Sequence, residues 1–151
     1  MTKVLMVCLG NICRSPLAEG ILKSKTFLRG IEVDSAGTGD YHVGGLPDKR
    51  SIAIAKEHRI DITNQRARQF LVSDFDVFDI IYAMDSINYR HIIRKARNKE
   101  DEKKVAMILD ELFPGEKLDV PDPYSGGVSG FKMVYDMLDE VCEVIAKKII
   151  I

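Results

Sequence analysis

The stretch that most constrains this chain is Val4-Leu5-Met6-Val7-Cys8, five apolar residues in a row, closed by a glycine and polar residues. So short a run, without alternation, reads as a β-strand buried on both faces, and such a strand requires a covering layer on each side. The next signal is Ser15-Pro16. Serine is a preferred N-cap, and proline suits the first helical position because its missing N–H has no intrahelical partner there. Leu17, Ala18, Ile21, Leu22 and Leu28 then recur as one helical face. Gly30 punctuates, and Ile31-Glu32-Val33-Asp34 alternates as a second strand. A strand, a helix and a strand in this order form a βαβ unit, for which a right-handed crossover is expected.

The same alternation continues. Asp40–Pro47 is a loop, and Asp48 is placed to cap a helix through His58 that contains Ile52, Ala53 and Ala55. Ile80–Met84 reads as a third buried strand, after which Asp85 or Ser86 opens a basic helix with Ile87, Ile92 and Ile93. Val105–Leu109 is the fourth strand, and Leu118–Gly130 is a loop rich in proline and glycine. Ser129 is placed to cap a last helix in which Phe131, Val134, Leu138, Val141, Ile145 and Ile149 share a face. The expectation is one doubly wound α/β domain over residues 1–151, with a parallel sheet flanked by helices on both faces. Ligands of such folds sit beyond the carboxyl ends of the strands, near the point where strand order reverses, and Cys8 ends the first strand.

Composition narrows the partners. The 22 Lys and Arg balance 23 Asp and Glu to a net charge of −1, which argues against nucleic acid as a partner but not against a small anion held locally. The basic run Arg90–Lys104 is interrupted by Glu100, Asp101 and Glu102 and reads as a solvated face rather than a docking patch. Three cysteines are too few and odd in number for a disulfide framework, and a reducing compartment is the simplest reading. Val4–Leu9 is too short for a signal-peptide core, and the last helix carries too many charges for a membrane span. A cytoplasmic protein without a membrane partner is expected.

The chemistry is concentrated in Cys8-Leu9-Gly10-Asn11-Ile12-Cys13-Arg14-Ser15, a Cys-x5-Arg-Ser string between strand and helix. Backbone N–H groups from Leu9 through Ser15 can turn inward as an anion nest at the positive end of a helix. Gly10 permits a tight cradle, and the planar fork of Arg14 matches two oxygens of one phosphate. The Gly-x4-Gly-Lys signature of nucleoside triphosphate sites is absent. Donors that hold phosphate also stabilise a thiolate, so Cys8 is a candidate nucleophile below the bound phosphorus. Alone, Cys8 reads equally as a buried strand residue. Cys13 reads either as a reversible disulfide partner of Cys8 under peroxide or as a bystander. No Cys-x2-Cys or close His pair points to zinc, since His42, His58 and His91 are scattered. Neither metal nor cofactor is expected. Asp122, between Pro121 and Pro123, offers a carboxylate in a stiff loop for the leaving group's proton.

Cys8–Pro16 together with Asp122-Pro123-Tyr124 closely resembles the low molecular weight protein tyrosine phosphatase family. The resemblance extends to Asp34-Ser35-Ala36-Gly37-Thr38 and Pro47-Asp48, and so spans the chain. It implies a four-stranded parallel sheet and a metal-free, two-step hydrolysis of phosphotyrosine monoesters through phosphocysteine, releasing inorganic phosphate. It further implies Cys8 as nucleophile, Arg14 as phosphate ligand and Asp122 as proton donor. Asn11 and Ser35 resemble the pair that braces the loop, and Ser15 the hydroxyl that assists the thiolate. Ile12, Tyr41 and Tyr124 match positions lining the cleft for an aryl phosphate. Relatives that favour phosphoarginine carry threonine at the place of Ile12, and Ser125 stands where many relatives have a second aromatic residue. The competing readings are a protein arginine phosphatase or arsenate reductase of the same fold, and a non-catalytic phosphotyrosine-binding or redox-sensing module. An arsenate reductase needs relay cysteines, for which only Cys142 remains, on the apolar face of the last helix.

Overall fold

The computed structural model describes residues 1–150 and places the first strand at the centre of the molecule. This strand, β1 (Thr2–Cys8), pairs in parallel with β2 (Ile31–Gly37) on one side and with β3 (Ile80–Ala83) on the other. The outer strand β4 (Val105–Met107) pairs with β3, giving the order β2-β1-β3-β4. The helices are α1 (Arg14–Lys25), α2 (Lys49–Glu57), α3 (Asp74–Val77), α4 (Ser86–Lys95), α5 (Lys99–Lys103) and α6 (Val128–Ile149).

The apolar run of β1 divides between two cores because successive strand residues point to opposite faces. Val4, Met6 and Cys8 pack with Leu17, Ile21 and Leu22 of α1 and with Val134, Leu138, Val141 and Ile145 of α6. Leu5 and Val7 face the other way, against Phe70, Phe75, Phe78 and Ile92. From β1 the chain first builds outward to β2 and later returns to the opposite side as β3. Strand order therefore reverses between β1 and β3, and the crevice opens past Cys8 and Met84. Among the described residues no helix is long and apolar enough to cross a membrane.

Several boundaries differ from the sequence-based expectation. Helix α1 begins at Arg14 with Cys13 in the cap position, so Ser15 lies inside the first turn and Pro16 follows it there. Proline still fits, because N–H groups of the first turn have no intrahelical acceptor. The helix stops at Lys25, where the Thr26 hydroxyl donates to the Leu22 carbonyl. Leu28 lies beyond it in the left-handed region (φ 59°) and is exposed rather than part of the apolar face. In α2 the buried residues are Ser51, Ile54 and Ala55, while Ala53 faces out. Strand β3 ends one residue early, at Ala83. Strand β4 ends at Met107, and Ile108–Glu111 coils into a 3-10 turn. Helix α6 starts at Val128, with Gly127 rather than Ser129 in the cap position. The short helices α3 and α5 have too few residues to show a periodicity.

One close approach ties β2 to the loop that follows β1. A Cβ on Gly37 would stand 2.7 Å from the Leu9 carbonyl oxygen and 3.2 Å from the Asn11 nitrogen, both backbone atoms that cannot swing away. Gly37→Ala should therefore cost on the order of 1–3 kcal/mol through overpacking. Thermal denaturation should show the loss, and weakened inorganic phosphate binding should accompany it. An unchanged melting temperature would show that the loop is not held against β2.

Candidate active site

The segment Leu9–Cys13 has an uneven hydrogen-bonding pattern. Several carbonyls here and just before are bonded outward: Cys8 O accepts from Thr38 N–H at 2.9 Å, Leu9 O from Gly39 N–H at 2.9 Å, and Ile12 O from Asp48 N–H at 2.8 Å. The Cys13 carbonyl accepts from the Ser51 hydroxyl at 3.2 Å. Among the described residues, the N–H groups of Leu9, Gly10, Asn11, Ile12 and Cys13 donate to no protein acceptor. Five adjacent donors without acceptors at the start of α1 form an anion nest, with the helix dipole adding partial positive charge.

Asn11 sustains this shape. It adopts φ 57°, a region that asparagine tolerates better than most residues, and it is buried. Its Nδ2 donates to Ser15 Oγ at 2.8 Å and to Ser35 Oγ at 2.9 Å, while its Oδ1 accepts from Arg68 N–H at 3.0 Å. Ser35 passes its own proton on to Glu19 Oε1 at 2.6 Å. Ser15 Oγ, already accepting from Asn11, retains a proton to point at Cys8 Sγ, 3.0 Å away. Two buried lines of hydrogen bonds thus diverge from the Asn11 amide, one through Ser35 to Glu19 and the other through Ser15 to Cys8. Burial pushes the Glu19 carboxyl above its ordinary value, partly offset by hydrogen bonds from Lys23 and Ser35.

Arg14 is almost fully buried at the lip of the loop. Its Nη1 donates to Asp85 Oδ2 at 2.7 Å and to the Val120 carbonyl at 2.9 Å, and its Nη2 lies 3.8 Å from Asp122 Oδ2. Burial opposes its charge, but Cys8, Asp85 and Asp122 more than offset that, and the guanidinium pKa lies above its ordinary value. Asp85 also caps α4, accepting from Asn88 N–H at 2.7 Å, so its position is set before it meets Arg14. Together these groups border a cavity of about 210 Å³ lined by Cys8, Leu9, Gly10, Ile12, Cys13, Arg14, Tyr41, His42, Asp122 and Tyr124.

Sequence comparison agrees with this geometry. The family model for low molecular weight phosphotyrosine protein phosphatases matches residues 3–150. The chain belongs to this family. A Synechocystis sequence carrying a low molecular weight protein-tyrosine-phosphatase name is 45% identical over 93% of this chain and 91% of its own. The low molecular weight phosphotyrosine protein phosphatase of Schizosaccharomyces pombe is 41% identical over 99% of both chains. A protein tyrosine phosphatase from Entamoeba histolytica, known from its crystal structure, superposes with a TM-score of 0.90 at 36% identity, covering 98% of this chain and 96% of its own. The chain is accordingly a protein-tyrosine phosphatase, a hydrolase of phosphate monoesters.

The phosphatase cavity gathers most of the residues singled out from sequence. Cys8, Leu9, Gly10, Ile12, Cys13 and Arg14 line it with Tyr41, Asp122 and Tyr124, while Asn11, Ser15 and Ser35 lie buried behind the loop. Tyr41 and Tyr124 stand exposed at the rim. Sequence reasoning missed His42, Asp85, Glu19, Arg68 and the Val120 carbonyl. His42 had a weak signal, its place beside Tyr41. Asp85 was visible only as a helix cap, and Glu19 carried no signal, because its partner Ser35 lies on another element. Cys142 is fully buried in the α1–α6 core, with its sulfur 3.9 Å from the Ala18 carbonyl.

Burial pushes the Cys13 thiol up to about 12, aided by the charges of Asp48 and Cys8, and it pushes Cys142 up to about 12 as well. Both stay neutral at neutral pH, and the thiolate is the reactive form. Iodoacetate at pH 7 should therefore label Cys8 first, with inorganic phosphate protecting it, as read by peptide mass spectrometry. Faster labelling of Cys13 or Cys142 would contradict this ordering.

Proposed function

We propose that the phosphatase works through a phosphocysteine intermediate, with Cys8 as nucleophile, Arg14 as phosphate ligand and Asp122 as general acid and then base. The observation that carries this reading is the position of Cys8 at the foot of five unpaired amides, with Arg14 and Asp122 bordering the same cavity. Phosphate bound in the nest would place its phosphorus above the sulfur, with the ester oxygen directed toward Asp122.

In the first step Cys8 Sγ forms a bond to phosphorus as the bond to the aryl oxygen breaks, and Asp122 gives its proton to that oxygen. The spread negative charge of a loose transition state falls on the amides and Arg14. In the second step Asp122, now a carboxylate, takes a proton from water as the water oxygen bonds to phosphorus. The S–P bond breaks, inorganic phosphate is formed, and the Ser15 hydroxyl donates to the departing thiolate. Hydrogen bonds to a charged group contribute roughly 1.5–3 kcal/mol, so Ser15 lowers the barrier of the second step, the one that leaves charge on sulfur. Asp122 Oδ1 accepts from Tyr124 N–H at 3.0 Å, which orients the carboxyl group.

The substrate we infer is phosphotyrosine in a protein, or a small aryl phosphate. Tyr41 and Tyr124 at the rim and Ile12 on the floor would flank a planar ring, with aromatic contacts of about 1 kcal/mol each. Phosphotyrosine also has the reach for a recessed loop. An arsenate reductase relay finds no support, since Cys142 is enclosed in the core. A reversible disulfide between Cys8 and Cys13 remains part of the reading. Peroxide would oxidise the Cys8 thiolate to a sulfenic acid, and Cys13 would displace water from it. Burial of Cys13 makes that closure slow at neutral pH. A cytoplasmic location accords with three free, buried cysteines.

Cys8→Ser should abolish turnover while retaining phosphate binding. Asp122→Asn should lower kcat/KM by about 10²–10⁴-fold for the poorest leaving groups and least for p-nitrophenyl phosphate. Substantial activity in the first variant, or an unchanged leaving-group dependence in the second, would remove that residue from its role. Phosphotyrosine peptides should turn over faster than phosphoserine or phosphoarginine peptides; equal rates would undo the specificity assignment.

A further inference from the structure

The phosphate loop and the Asp122 segment lie more than a hundred positions apart in the chain; Arg14 approaches the Asp122 carboxylate from the loop, and a second arginine reaches the backbone of the segment from α2. We propose that Arg50 is a positioning residue that holds the Asp122–Tyr124 segment over the phosphate loop, an inference that rests on the reading of Asp122 as proton donor.

Arg50 lies in the first turn of α2, beside the cap Asp48. Asp48 N–H is bonded to the Ile12 carbonyl at 2.8 Å, which fixes this helix end to the phosphate loop. The Asp48 carboxylate accepts from Arg50 N–H at 2.8 Å, from Nε at 3.0 Å and from Nη2 at 3.0 Å. The far side of the same guanidinium reaches the other half of the site. Nη2 donates to the Tyr124 carbonyl at 2.9 Å and Nη1 to the Gly126 carbonyl at 3.0 Å. Its carbon lies 4.4 Å from the Phe131 ring centre and 5.7 Å from that of Tyr124.

Among the described residues, no other hydrogen bond ties the backbone of residues 121–126 to the rest of the molecule. Tyr124 N–H goes to Asp122 and Gly126 N–H to Pro123, while the Gly127 carbonyl accepts from Gly130 N–H at the start of α6. With Gly126-Gly127 next to it, the segment depends on an external tether to hold one position. A planar, five-donor fork can bridge a carboxylate and two carbonyls at once, which a lysine ammonium cannot do in the same plane. Because Arg50 holds the segment that carries Asp122, its loss is read in the leaving-group dependence of kcat/KM.

The test is kcat/KM on p-nitrophenyl phosphate and phenyl phosphate, with inhibition by inorganic phosphate, for wild type, Arg50→Met, Arg50→Lys, Asp122→Asn and the Arg50→Met/Asp122→Asn pair. Arg50→Met should lose about tenfold on phenyl phosphate and much less on p-nitrophenyl phosphate, with phosphate inhibition unchanged. Arg50→Lys should recover part of the loss. In the Asp122→Asn background, Arg50→Met should add nothing to the leaving-group dependence. Equal losses on both substrates, or a wild-type leaving-group dependence in both Arg50 variants while Asp122→Asn steepens it, would overturn the role of Arg50 alone. A wild-type dependence in Asp122→Asn would instead overturn the proton-donor reading. Should Arg50→Met fold poorly, Arg50→Lys decides, because it keeps the charge and loses the fork.

Discussion

The rest of the structure depends on the direction of the hydrogen bonds along Leu9–Cys13. A peptide chain normally satisfies its donors and acceptors together. Here the carbonyls of Cys8, Leu9, Ile12 and Cys13 are bonded outward by Thr38, Gly39, Asp48 and Ser51, while the amides of Leu9–Cys13 donate to no protein acceptor among the described residues. Each neighbouring element contributes to that imbalance. The end of β2 supplies Thr38 and Gly39, the start of α2 supplies Asp48 and Ser51, and Gly37 has no side chain to keep β2 at a distance. Asn11, buried in an uncommon conformation, is the strut between these contacts and Cys8.

The same economy governs charge. One arginine, held by Asp85 and the Val120 carbonyl, borders the cavity, and in the proposed mechanism it shares the anion with the amide dipoles. A preorganised dipole site needs no broad positive field, which is consistent with a chain whose charges nearly cancel. Asp85 has two duties: it caps α4 and it orients Arg14. The crevice between β1 and β3 thereby brings the end of one strand to the start of the helix after the other.

Much of this was legible in the chain. The unbroken apolar run of β1 required layers on both faces, and alternating cores around Val4–Cys8 are its direct consequence. The Cys8–Ser15 string marked its own candidate chemistry, because the loop, the proposed nucleophile and the proposed phosphate ligand are contiguous. Where the expectation failed, local propensity was outweighed by longer-range demands. Ser15 has the composition of a cap, yet its hydroxyl is committed to Cys8 and Asn11, and the helix begins two residues earlier than that cap implies. Leu28 matches an apolar period but falls beyond the helix end.

The sequence alone determined a first strand buried on both faces, the composition of the loop after it and the identity of its thiol and arginine, because these depend on neighbours within a few residues. The tertiary structure decided which distant groups complete them. Glu19 against Ser35, Asp85 against Arg14, His42 at the rim and Arg50 between α2 and the Asp122 segment are pairings across separate elements. No local pattern encodes them, because a hydrogen bond depends on where two backbones come to rest, and that is set by the packing of helices on both faces of the sheet.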